Sequence, residues 1–108
     1  MTIAKTHHID ASEPNEQGTY DYYYAYTVYV FAQDDVAYTA RSYDDEPEKV
    51  AFVGKGVNGT TRRIVANDLN SSLFTQAVHY LRASEGKQSF WFLDARNRKS
   101  GYTQIAVA

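Results

Sequence analysis

Four residues near the start of the chain have the right chemistry for a metal: His7, His8, Asp10 and Glu13. Neutral imidazole and carboxylate are common zinc and transition-metal ligands. Their spacing argues against a site. Neighbouring residues on a strand point to opposite faces, so His7 and His8 cannot share one metal there. The reading for this segment is an exposed polar arm, and no metal is expected. A second candidate is Gly54-Lys55-Gly56-Val57-Asn58-Gly59, which matches the spacing of a dinucleotide-binding loop. In that loop the glycines let backbone amides approach a pyrophosphate at a helix N-terminus. Here no acidic residue closes a strand about 20 residues later, as that loop requires. Asn58-Gly59 is better explained as a hairpin turn, because both central positions of a type I′ turn need positive φ. His79 is the right type for a general base, but no nucleophile-elbow serine accompanies it and the chain has no cysteine. Asp44, Asp45, Glu46 and Glu48 could serve as paired carboxylates. Pro47 interrupts them, and the spacing is not that of a calcium loop. No catalytic residue and no cofactor are therefore assigned.

The remaining chemistry is recognition. Tyr20 to Phe31 holds six tyrosines in ten residues, followed by a phenylalanine. Tyrosine joins a large apolar area to a hydroxyl with few rotatable bonds, and it is enriched at protein interfaces. The binding set read from the sequence is Tyr22, Tyr24, Tyr26 and Tyr43, with Asp44, Asp45 and Glu46 as its rim. The set on the opposite strand face is Tyr23, Tyr29 and Tyr38. Basic residues form two groups: Lys55, Arg62 and Arg63 around the Asn-Gly turn, and Arg96, Arg98 and Lys99 in a later loop. Charge beside stackable rings is what single-stranded nucleic acid needs. The net charge of −2 supplies no general attraction for it. A protein partner, or a second copy in a homodimer, is the leading expectation, with nucleic acid as the alternative.

The elements that must position these residues follow from periodicity and turn chemistry. Residues 1–18 read as a polar arm with one short strand around Thr2–His8, and 19–108 as a single domain. Aromatic and β-branched enrichment makes Tyr20 to Ala32 a strand. A tight turn at Asp34-Asp35 returns it as Val36–Tyr43, which sets Phe31 opposite Tyr38 and Tyr26 opposite Tyr43. Lys49–Val57 and Thr60–Ala66 form the Asn-Gly hairpin, pairing Val53 with Ile64 and Phe52 with Val65. A helix begins near Asn67–Ser71, where several residues suit an N-cap, and stops at Gly86. Its apolar face carries Leu69, Leu73, Phe74, Ala77, Tyr80 and Leu81; Asp68, Ser72, Thr75, His79 and Arg82 lie opposite. Ser89–Leu93 and Tyr102–Val107 close the chain as two strands.

The expected fold is α+β: an antiparallel twisted sheet of five to six strands with one amphipathic helix on one face, in the order ββββαββ. Core candidates are Val28, Val30, Phe52, Ile64, Val65, Leu69, Leu73, Phe74, Leu81, Phe92 and Ile105. An apolar fraction of 44% and a charged fraction of 22% fit a folded domain rather than a disordered chain. No apolar run has the length of a membrane span, and the first residues lack an apolar signal core. No membrane association and a cytoplasmic location are expected.

Overall fold

A computed structural model describes residues 1–106; Val107, expected at the end of the last strand, lies outside them. Seven strands form one sheet: β1 (Thr2–Ala11), β2 (Tyr23–Gln33), β3 (Val36–Tyr43), β4 (Lys49–Val57), β5 (Thr60–Arg62), β6 (Ser89–Leu93) and β7 (Tyr102–Ile105). A 3₁₀ turn at Ala66–Asn70 leads into the helix α1, Ser72–Glu85. The spatial order is β1-β2-β3-β4-β6-β7, with β5 also paired to β4. All neighbours are antiparallel except β4 and β6, which run parallel. The α+β class and the single helix on one sheet face are as expected.

Local turn chemistry sets the hairpins. Asp34 adopts φ 54°, and Gln33 pairs with Val36 across the two-residue turn. Phe31 meets Tyr38 and Tyr26 meets Tyr43, the register expected from the sequence. Asn58 and Gly59 take φ of 50° and 79°, as a type I′ turn demands. The Ser71 hydroxyl caps α1 by accepting from the Phe74 amide at 3.2 Å. Gly86 ends the helix in the left-handed region at φ 68°.

Three expectations are corrected. First, β5 stops at Arg62 instead of reaching Ala66. The reason is competition for one strand edge. Lys49–Phe52 of β4 are bonded to Ser89–Phe92 of β6, leaving only Lys55–Val57 for β5. Ile64 turns into the core and bridges Asp94, while Val65 is left 49% exposed rather than opposite Phe52. Second, Val28 and Val30 are half-buried on the face away from the helix. The helix covers the odd positions of β2, where Tyr29 and Phe31 are buried with Tyr38, Phe52, Phe74, Leu81 and Phe90. Third, the N-terminal segment pairs with β2 along its whole length, from Thr2 opposite Ala32 to Ala11 opposite Tyr23. It was expected to form only a short strand ending near His8.

The core is built of rings. Phe74 of the helix stands 4.4 Å from Phe52 and 5.1 Å from Tyr38, edge to face in the second case. Phe31 meets Tyr80 at 5.8 Å. A bulge in β4 at Val53 lets Ala40 pair with Phe52 while Thr39 pairs with Gly54. It shifts the alternation by one, so Lys55 joins Val50 and Phe52 on the helix side.

Candidate functional site: the open face of the sheet

One helix covers one face, so alternation leaves the even positions of β2 and the odd positions of β3 uncovered. Register places aromatic rings there in a continuous row. Tyr22 and Tyr24 lie 6.1 Å apart, Tyr24 and Tyr43 6.2 Å, Tyr43 and Tyr26 5.6 Å, and His8 of β1 stacks on Tyr26 at 5.4 Å. Tyr22 and Tyr24 are 47% and 52% exposed. Tyr26 and Tyr43 are half-buried by their neighbours and by Arg41, whose guanidinium lies 4.5 Å from the Tyr26 ring centre. The opposite set divides. Tyr29 and Tyr38 are 3% and 1% exposed beneath the helix, and burial, foremost, raises the Tyr29 phenol above its ordinary value. Tyr23 lies beyond the helix and is exposed beside Tyr20.

The acidic rim is held by a residue the sequence reading passed over. Lys87 is buried, and its Nζ donates to the Ser42 hydroxyl at 2.9 Å and to the Pro47 carbonyl at 2.6 Å. Burial pulls the Lys87 pKa below its ordinary value. These bonds tie the end of α1 to the loop carrying Asp44, Asp45 and Glu46, all of them exposed. Their directions differ. Asp44 meets His7 Nε2 at 2.9 Å, Asp45 borders a small recess beside Tyr24, and Glu46 lies 3.8 Å from Lys49 Nζ. His7 and His8 thus serve separate partners. Among the described residues, no group of three or more histidines and carboxylates could hold a metal ion.

Next to the tyrosine row lies a cleft of about 560 Å³ lined by Arg41, Tyr43, Glu46, Lys49, Ala51, Trp91, Ser100 and Tyr102. Its floor follows from register. Ala51 sits between Arg41 on β3 and Trp91 on β6, so a small side chain separates two large ones. Lys49 Nζ lies 5.0 Å from the Trp91 ring, and Trp91 Nε1 donates to Ser89 Oγ at 2.7 Å. Of these residues only Tyr43 and Glu46 were assigned from the sequence. Arg41 and Trp91 could not be, because the parallel β4–β6 pairing that joins them is non-local.

The basic residues are placed differently. Lys55 points to the helix side, where its Nζ meets Asp68 Oδ1 at 2.6 Å, and Arg62 lies opposite it on β5. Arg62, Arg63, Arg96, Arg98 and Lys99 are exposed. The Ile64–Asp94 bridge keeps Arg62 and Arg63 near the end of the sheet that carries the Asn-Gly turn, whereas the loop carrying Arg96, Arg98 and Lys99 runs on to Ser100, which lines the cleft beside Tyr43. The tyrosine row lies at the end opposite that turn, where β2 begins and β3 ends. His79 is exposed on α1 and borders a shallow groove with Arg82 and Ile105. The Gly54–Gly59 segment is strand and turn, followed by β5 rather than by a helix N-terminus. Comparison with protein-family models, curated proteins and solved structures gives no match for this chain.

Proposed function

We propose that the protein is a non-catalytic binding module that acts through protein–protein contact on the open sheet face. The observation that carries this reading is the row Tyr22–Tyr24–Tyr43–Tyr26, continuous and, among the described residues, covered by no helix or strand. Such rings supply apolar area, and their hydroxyls supply directional bonds, at little rotamer cost. Exposed Asp45 and Glu46 beside them favour a partner with a complementary basic rim. The chain would serve as an inhibitor, an immunity-type protein or an adaptor, and its partner is another protein or a second copy through an isologous contact.

The test is affinity capture with the wild-type chain beside a Tyr22→Ser/Tyr24→Ser double variant, with light scattering on both. The expected result is a partner, or a dimer, held by the wild type and lost by the variant. An unchanged partner set together with a strict monomer overturns the reading. Single-stranded nucleic acid is the less favoured occupant. Its phosphates would meet Arg62 and Arg63 at one end of the sheet while the rings lie at the other, and Lys55 is already engaged by Asp68. Salt-dependent oligonucleotide binding lost in Arg62→Ala/Arg63→Ala would reverse that order.

A further inference from the structure

Arg41 carries a charge that no carboxylate answers. Among the described residues it forms no ion pair. Its Nη1 donates to the Tyr43 hydroxyl at a long 3.4 Å, its Cζ lies over the Tyr26 ring 4.5 Å from the centre, and its Nε is buried with no acceptor. A half-buried cation without a counter-ion is costly, and cation–π contact offsets only part of that cost. Arg41 is also a wall of the cleft floored by Ala51 and faced by Trp91 and Tyr102. The cleft volume falls in the range of small-ligand sites, which are apolar with a few polar groups that fix orientation.

We propose that this cleft binds an aromatic carboxylate, its acid group on Arg41 and its ring against Trp91. A guanidinium is a planar fork that matches a carboxylate with two parallel bonds, and it keeps this ability while stacked on a ring. The charge count selects a monoanion. Arg41 and Lys49 contribute two positive charges and Glu46, 3.8 Å from Lys49, one negative, which leaves one positive charge for the ligand to neutralise. The Lys49 ammonium near the Trp91 ring polarises the wall against which an electron-rich ring would lie. Ser100 also lines the cleft, its hydroxyl already donating to the Tyr102 carbonyl at 2.9 Å, which leaves Arg41 as the group that orients the acid. This assignment is independent of the protein-contact reading and shares only Tyr43 and Glu46 with it.

Trp91 is the chain's one tryptophan, so its indole N–H gives a unique proton–nitrogen NMR signal. The test titrates 4-hydroxyphenylacetate, its neutral amide and phenyl phosphate separately. The carboxylate should shift the indole signal saturably, and the amide and phenyl phosphate should bind at least about tenfold more weakly, a difference of about 1.4 kcal/mol. Arg41→Gln should weaken the carboxylate by a similar factor, whereas Arg62→Gln should leave it unchanged. If Arg41→Gln loses spectral dispersion, Ala51→Leu, which fills the floor, should abolish the shift in its place. No saturable shift up to roughly 10 mM carboxylate, equal binding of acid and amide, or tighter binding of the phosphate would each overturn the assignment.

Discussion

Asp68 shows how a single residue can change role between sequence and structure. By helical spacing it belongs to the solvated side of the helix. In the fold it sits just before α1 with its side chain only 11% exposed. It accepts from Lys55 Nζ at 2.6 Å, the Val65 amide at 2.8 Å and the Tyr38 hydroxyl at 3.3 Å. Burial works to raise its pKa, but the Lys55 bond, the Val65 amide and the Tyr38 bond outweigh it. The carboxyl is held below its ordinary value of 3.8. A carboxylate whose pKa is lower folded than unfolded contributes stability that is complete above the unfolded value and is lost as pH falls through the folded one. The wild type should therefore lose stability below about pH 4. Asp68→Asn should cost about 1–3 kcal/mol at pH 7, because it leaves a half-buried Lys55 without its counter-ion. The variant should also show a shallower acid limb. Glu85 keeps a remnant of the slope, since the Lys5 and Tyr29 hydrogen bonds outweigh burial there and hold it low as well. Urea titrations of both proteins at pH 7 and pH 3 measure this, and parallel acid limbs would count against it.

At the scale of elements, what could be read was what is local. The Asp34-Asp35 and Asn58-Gly59 turns announce themselves by residue type, and a hairpin's register follows from its turn, so Phe31–Tyr38 and Lys55–Arg62 were legible. The Gly86 stop was legible for the same reason, and the Ser71 cap only as one of several candidates between Asn67 and Ser71. The parallel partner of β4 was not. Nothing in Ser89–Leu93 says which of several strands it will join, and that choice decides how far β5 runs. β1 was only partly legible because nearly all its residues are exposed, leaving no buried face to print a pattern. Half of the candidate site suffered likewise: Tyr43 is marked by the hairpin, whereas Arg41 and Trp91 meet only through β4–β6. The corrected topology separates two adjacent residues. Ile64 is 1% exposed and packs in the core, while Val65 is 49% exposed. Ile64→Ala should cost about 2–5 kcal/mol. Val65→Ala should change stability by no more than roughly 0.5 kcal/mol. Chemical denaturation of the two variants distinguishes this arrangement from a long β5, in which both would be costly.

The whole molecule is drawn out rather than round. Its radius of gyration is 15.2 Å and its extents are 50 × 31 × 31 Å, against roughly 13 Å for a compact domain of this length. The helix packs over the middle of the sheet, and β1 lies at its margin, exposed along nearly all its length and met by the helix at Glu85. β1 is held by its ladder to β2, by Lys5–Glu85 at 2.7 Å and by His7–Asp44 at 2.9 Å. A contact as exposed as His7–Asp44 is worth at most about 1 kcal/mol, only Lys5–Glu85 has a partner as enclosed as Glu85, 14% exposed, and β1 buries almost no apolar surface. Opening of an element costs free energy in proportion to what it buries, so β1 should open well before the core does. Hydrogen exchange should then show three levels. The amides of β1 bonded to β2 exchange first, those joining β2 to β3 more slowly, and those of β3 and β4 beneath α1 only with global unfolding. Equal protection of β1 and β3 would mean that β1 belongs to the global unit or is covered in solution. Dilution decides between these: protection that falls with concentration would place a second copy along the free edge of β1, and protection that does not would show the sheet opening as one body.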